Sequence, residues 1–283
     1  MGGSVLGVLS GLCRALIVSP PTLDLIEGPW GSESRPGGPG IYAGVAFQRA
    51  GCAVDLVGAI GHLTMETVVV EKRLGFNRVG YYESFDGYVF HHIYKAGGRV
   101  SRLVTEPRPL DIIRLLDLLR DADYNIILYS PIYGEDSGYI PQYLSSNWRG
   151  VVALDIQGYA RRWKDGWAPP SKRIASIIHV SSDDSFYPSE CSSYITIYTE
   201  GVRGGYVDIC GGPRLGIPPP RKRLENPTGA GDVFTALVLV MLAIGGYSLK
   251  ESLDRAVDLT AEVLKSANEV LSSYAGSTTS YNL

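Results

Sequence analysis

Short apolar runs alternate along this chain with segments of helical spacing, and that alternation limits the folds open to it. Residues 15–18, 54–58, 124–129, 150–156, 177–180 and 194–198 read as strands, with a further one at 5–9. Residues 66–74 suggest a helix, residues 109–120 place Leu110, Ile113, Leu116 and Leu119 at helical spacing, and another helix fits between the strands at 124 and 150. Residues 249–271 set Leu253, Val257, Ala261 and Leu264 on one side of a last helix. Strands that alternate with helices in this way pack as a parallel, doubly wound α/β sheet. One departure is the pair of runs at 88–94 and 100–104, separated by Lys95-Ala96-Gly97-Gly98, which carries a hairpin signal. No internal repeat or linker appears, so residues 1–283 are expected to form a single domain.

Composition excludes several functions. At 45% hydrophobic, the 283 residues can bury a sizeable core. A net charge of −3 and a pI near 5.8 leave no basic footprint for nucleic acid or an anionic membrane. The apolar start is interrupted by Arg14 and has no basic leader region, and the apolar run at 236–244 ends at Gly245-Gly246; no membrane span and a cytoplasmic setting are expected. Cys13, Cys52, Cys191 and Cys210 are scattered, with no Cys-x-x-Cys pair, and read as buried small hydrophobes. Gln48, Gln142 and Gln157 are the only glutamines and arginine exceeds lysine, which points to a heat-adapted source, where a disulfide stays open.

The chemistry concentrates at Asn226-Pro227-Thr228-Gly229-Ala230-Gly231-Asp232, ahead of the apolar run. Pro227 fits a turn and Thr228 a helix cap. The glycines let a ligand approach the backbone, and the N–H groups at a helix N-terminus bind anions. Asp232 would repel a phosphate there unless it served as a base for a hydroxyl attacking phosphorus, with the amides of Gly229, Ala230 and Gly231 stabilising the transferring group. The same residues could instead pack a helix, with Asp232 favoured by its dipole. No GxxxxGK[ST] loop occurs, so P-loop chemistry is excluded. Adjacent His91 and His92 on a strand face opposite sides and cannot chelate one metal.

This stretch resembles the C-terminal signature of the PfkB/ribokinase family of sugar and nucleoside kinases, and further landmarks follow in the right order over nearly the whole chain. The resemblance implies a ribokinase-like sheet with a small β lid built from residues 22–36 and 86–105, a phosphoryl transfer from ATP with Mg2+, and a small polyol, sugar or nucleoside as acceptor. It leaves room for a homodimer formed through the lid. Gly37-Gly38 resembles the N-terminal glycine motif, with Asp24 holding substrate hydroxyls and Tyr42 standing where asparagine is usual, a departure similar to archaeal inositol-kinase-like members. As readings of the residues alone, Asp24 also suits a turn and Tyr42 a packing aromatic.

Asp155 and Gln157 stand near the family's Asp-x-Asn-x-Arg, as substrate or architecture residues, and Arg161 as a phosphate contact; a strand-end turn explains them equally. Asp184 matches the glutamate that works near magnesium. Thr199, Gly201 and Gly204 match the family's Thr-x-Gly-x-x-Gly around the nucleotide phosphates, and Asn268 lies where the family closes over adenine. Because Arg35 is the one base near Asp24 in sequence, an uncharged acceptor is expected, with myo-inositol first by resemblance and a nucleoside second.

Overall fold

The computed structural model describes residues 13–29, 31–78, 81–82, 85–95, 98–105, 108, 110–120, 122–135, 139–163, 174–184, 188, 191–222, 224 and 227–274. The expected strand at 5–9, Asn226 of the glycine motif and the serine- and threonine-rich end lie outside them. The chain starts with β1 (Arg14–Val18), a hairpin of β2 (Thr22–Gly28) and β3 (Gly31–Gly37), and helix α1 (Pro39–Arg49). Next come β4 (Ala53–Val57), β5 (Ala59–Ile60), α2 (Met65–Arg73), β6 (Asn77–Arg78) and β7 (Tyr81–Tyr82). A second hairpin joins β8 (Tyr88–Lys95) to β9 (Gly98–Leu103). Then α3 (Ile112–Arg120), β10 (Ile126–Tyr129), α4 (Tyr139–Asn147), β11 (Val151–Asp155), α5 (Gln157–Trp163) and β12 (Ile177–Ser181) alternate. β13 (Ile195–Thr199), β14 (Gly205–Ile209) and β15 (Leu215–Ile217) precede α6 (Ala230–Ala243) and α7 (Leu249–Ser272).

The main sheet has nine strands in the order β15-β14-β13-β12-β11-β10-β1-β4-β6. Its pairs are parallel except where β14 runs against β13 and β15. Side chains alternate between the faces of a strand, and β1 shows how both faces are covered. Ala15 and Ile17 enter one core with α1, α6 and α7, whereas Leu16 and Val18 enter the other with α3, α4 and α5. Each fully buried leucine or isoleucine contributes about 1.5–3 kcal/mol, which is why the central strands are continuous apolar runs. α6 is buried at every position from Val233 to Met241, as expected of a helix apolar all round and enclosed by its neighbours. Among the described residues no helix is long and apolar enough to cross a membrane.

A separate four-stranded sheet, ordered β3-β2-β8-β9, is formed by the two hairpins. It corrects the expectation that Asp24 lies in a turn. The central strand stops at Val18, and Asp24 sits inside β2, between Arg35 of β3 and Phe90 of β8.

The cysteines are also corrected: none is free among the described residues. Cys13 bonds Cys52, and Cys191 bonds Cys210. Strand order explains the first pair. Cys13 and Cys52 immediately precede β1 and β4, parallel neighbours in which Arg14 pairs with Ala53, so the register sets the two side by side. The second pair flanks the antiparallel β13–β14 ladder, where the Cys210 N–H donates to the Tyr194 carbonyl.

The Cys13–Cys52 bridge joins residues 39 apart and restrains the unfolded chain accordingly. Replacing both by serine is expected to lower unfolding free energy by about 3–4 kcal/mol, measured by denaturant titration without reductant. An unchanged midpoint at unchanged slope would show that the bridge contributes nothing.

Candidate active site

Parallel strands end on one edge of the sheet, and side chains from several of them converge there. Asp155 is the last residue of β11 and Thr199 the last of β13, while His179 lies on β12 between them. A polar ring buried in an apolar strand needs partners on both nitrogens. His179 has them: Nδ1 is 2.8 Å from Asp155 Oδ2 and Nε2 is 3.0 Å from Thr199 Oγ1. Burial disfavours the imidazolium. The charge and hydrogen bond of Asp155, then the charges of Asp184 and Asp232, outweigh that and raise the His179 pKa above its ordinary value. As an imidazolium it donates from both nitrogens.

The N-terminus of α6 rests on this histidine. Gly229 is its N-cap, with a left-handed φ of 81°, and a Cβ there would fall inside the Tyr42 ring; both facts require glycine. A Cβ on Gly231 would come within 3.1 Å of His179 Cε1, so the imidazole ring lies directly against the first turn. The Ala230 N–H donates to the Pro227 carbonyl at 3.0 Å, so this member of the expected anion hole is engaged in the turn. The Gly229 and Gly231 amides make no hydrogen bond among the described residues. Asp232 stands in the first turn, where its charge acts on both His179 and Tyr42. Thr228 does not cap the helix as expected: its hydroxyl lies 2.9 Å from that of Tyr94 on β8, tying the second sheet to the glycine turn.

Around Tyr42, whose hydroxyl feels the charges of Arg35, Asp24 and Asp232, gathers a cluster of buried polar side chains. Asp24 Oδ1 accepts from the Thr22 hydroxyl at 2.8 Å, and its Oδ2 is 3.7 Å from His92 Nε2. Burial pushes the Asp24 carboxyl up, but His92, Thr22 and Arg35 prevail and hold it below the usual carboxylate range. Gly37 is required because a Cβ would collide with that carboxylate, and Gly38, with φ 102°, turns the chain into α1. Tyr42 is fully buried; burial pushes its hydroxyl up in pKa, so it stays neutral. The adjacent histidines face opposite ways as expected: His91 lies 3.1 Å from Glu27, and His92 bonds Ser101.

Asp184, just beyond β12, accepts from the Ser181 N–H at 2.7 Å. Burial and the nearby Asp155 push its carboxyl up to about 6. Among the described residues no three His, Cys, Asp or Glu side chains form a metal cage. A single raised carboxyl of this kind fits a magnesium ion carried largely by phosphates and water, which takes only one or two protein carboxylates.

Other expected site residues are engaged in architecture. Asp155 Oδ1 accepts from the Gln157 N–H at 3.0 Å, besides its bond to His179. Arg161 donates to the Ile132 carbonyl and Gln157 Oε1 and lies over the Phe90 ring of β8 at 4.8 Å. Gly204 is packed where a Cβ would strike the Ile217 carbonyl, whereas Gly201, with φ 58°, faces open space. Asn268 is not brought to the cluster. It lies on α7 two residues beyond Ser266, whose hydroxyl accepts from Arg49 at the end of α1 remote from Tyr42.

Sequence reasoning assigned no role to His179, His92 or Tyr94, and weighed Arg35 only as a neighbour of Asp24 in sequence. His179 carried a readable signal, a polar ring within the apolar run Ile177-Ile178-His179-Val180. Arg35 becomes visible once the Gly28–Gly31 turn is seen to close a hairpin, because that register sets it opposite Asp24.

His179 gives a pH test. Its folded pKa lies above 6.5, so its contribution to stability is fully present below about pH 6.5 and is lost as pH rises through the folded value. Denaturant unfolding of wild type and His179→Asn, from about pH 5 to about pH 9, should give a difference largest at the acid end and shrinking upward. A difference that grows with pH would contradict an imidazolium held by Asp155.

No family model matches the chain, and no curated protein matches it in sequence. Solved structures do match. A pyrophosphate-dependent kinase in the ribokinase family, complexed with a pyrophosphate analogue and myo-inositol, has a TM-score of 0.70 at 16% identity, over 89% of this chain and 95% of its own. A sugar kinase from Pyrococcus horikoshii in complex with ATP gives 0.69 at 17%, over 91% and 100%. Ribokinase from Thermotoga maritima gives 0.67 at 14%, over 91% and 99%. The likeness spans nearly the whole chain and is one of fold: this protein has the architecture of the ribokinase-family kinases.

Proposed function

We propose that this protein is a kinase that moves the γ-phosphate of ATP to a hydroxyl of a small polyol or sugar. The observation that carries the reading is the position of Asp232. It stands in the first turn of α6, beside amides suited to an anion, and its charge acts, with that of Asp24, on Tyr42. A binding protein gains nothing from a carboxylate at a phosphate site. Asp24 fixes the acceptor by its hydroxyls, and Asp232 takes the proton of the attacking oxygen. That oxygen bonds the γ-phosphorus as the bond to the β-bridging oxygen breaks, and ADP leaves. Charge on the transferring group is met by the Gly229 and Gly231 amides and by the imidazolium of His179 behind them. Asp184 would bond the water shell of a magnesium ion, which neutralises phosphate charge when bound. Thr199 and the turn at Gly201 would face the nucleotide.

Myo-inositol, first by resemblance, and a nucleoside or ribose both offer such a hydroxyl. The similar kinase complexed with myo-inositol supports the former and the similar ribokinase the latter. ADP release measured over inositols, pentoses, hexoses, their acids and phosphates, and nucleosides distinguishes them. The case for an uncharged acceptor weakens, however, once Arg35 stands opposite Asp24.

Asp232→Asn keeps size and loses the base. It is expected to lower kcat roughly a hundredfold or more while calorimetric titration still shows nucleotide binding, since base catalysis supplies about 10²–10⁴. A variant with near wild-type kcat would remove Asp232 from the base role.

A further inference from the structure

Arg35 lies on β3 directly across from Asp24 on β2, so the two side chains share one face of the second sheet. It is only 8% exposed, yet its Nε and Nη2 have no hydrogen-bond partner among the described residues. A buried guanidinium with unmatched donors is unfavourable unless something completes it. Asp24 does not: its carboxylate is held by the Thr22 hydroxyl and pairs with His92. The Tyr42 hydroxyl, within reach of the charges of both Arg35 and Asp24, is likewise buried and unpartnered. Three buried donors thus gather beside Asp24 with no hydrogen-bond partner among the described residues.

The pair of atoms left open identifies the ligand chemistry. Nε and Nη2 form one edge of the guanidinium, whose two parallel N–H groups match a carboxylate or phosphate. The same protein uses this edge twice elsewhere. Arg214 presents it to the two oxygens of Asp208, at 2.6 and 3.1 Å, and Arg78 to the two oxygens of Glu71. At Arg35 no described carboxylate takes that edge.

We propose that the phosphate acceptor itself carries an oxyanion, a carboxylate or a phosphate, which lies on the Nε–Nη2 edge of Arg35 beside the Tyr42 hydroxyl while Asp24 holds its hydroxyls. This rests on the kinase reading and narrows it: the substrate is a sugar acid or sugar phosphate, and the uncharged polyol gives way. Arg35, the cross-strand neighbour of Asp24, offsets the charges of both Asp24 and the acceptor's anion.

The test compares matched acceptors, gluconate against glucose and ribose 5-phosphate against ribose, with ADP release by wild type, Arg35→Gln and Arg35→Lys. In at least one pair the anion should have the higher kcat/KM, and Arg35→Gln should shrink that ratio about tenfold or more, chiefly through acceptor KM, as expected for a lost hydrogen bond to a charged group. Arg35→Lys, which keeps charge without the fork, should fall between. Preference for gluconate assigns a carboxylate and for ribose 5-phosphate a phosphate. A neutral sugar preferred in both pairs by wild type overturns the proposal even if the variants fail to fold. So does a ratio unchanged in Arg35→Gln, the result expected if Arg35 served the donor phosphates. If no compound of the wider acceptor panel is phosphorylated, the kinase reading fails separately. Calorimetric titration of the protein alone with gluconate and ribose 5-phosphate then decides the Arg35 site: binding lost in Arg35→Gln upholds it, and no binding to wild type overturns it.

Discussion

A histidine inside a parallel sheet must be satisfied on both ring nitrogens, and much of this protein's site follows from how His179 meets that constraint. Asp155 from one neighbouring strand and Thr199 from the other close on it. The ring then forms a floor on which the first turn of α6 settles with only a glycine between them. One buried ring therefore links three adjacent strands and the helix terminus. Asp155, Asp184 and Asp232 favour its protonated form, whose charge would add to the positive end of the helix dipole.

Tyr42 is the counterpart on the acceptor side. Its ring packs against Gly229, its hydroxyl points to the charges of the second sheet, and it stands on a helix whose own N-terminus is shaped by Gly37 and Gly38. Tyr42 thus does more than fill space in the core. It couples the geometry of α1 to that of α6 through a contact that tolerates no added carbon. The Tyr94–Thr228 bond makes a second connection, between the outlying sheet and the glycine turn. Movement of that sheet would be felt where the phosphate is expected.

What could be read in the sequence divides along physical lines. Central strands such as β1 and β12 were plain because burial on both faces makes them continuous apolar runs. β3, with the sequence Gly-Ser-Glu-Ser-Arg-Pro-Gly, has almost no strand propensity. It exists as an edge strand because β2 offers a ladder and Pro36 can sit at an edge. Helix α5 was hidden because a short Gln-Gly-Tyr-Ala-Arg-Arg-Trp segment after a strand reads as a turn. The glycine turn and the start of α6 were legible because glycines just ahead of a long apolar run mark a helix N-terminus. The partnerships of His179, the opposition of Arg35 to Asp24 and the pairing of Cys13 with Cys52 were not, since each depends on strand order or register, which composition and periodicity leave open.

The central claim is that phosphoryl transfer occurs at the N-terminus of α6, over His179 and beside Asp232. A crystal structure of the protein with a non-hydrolysable ATP analogue tests it most directly. The account predicts a γ-phosphate oxygen about 3 Å from the Gly229 and Gly231 amide nitrogens, with Asp232 facing the pocket of Asp24, Arg35 and Tyr42. A nucleotide bound with its phosphates away from that turn would contradict it.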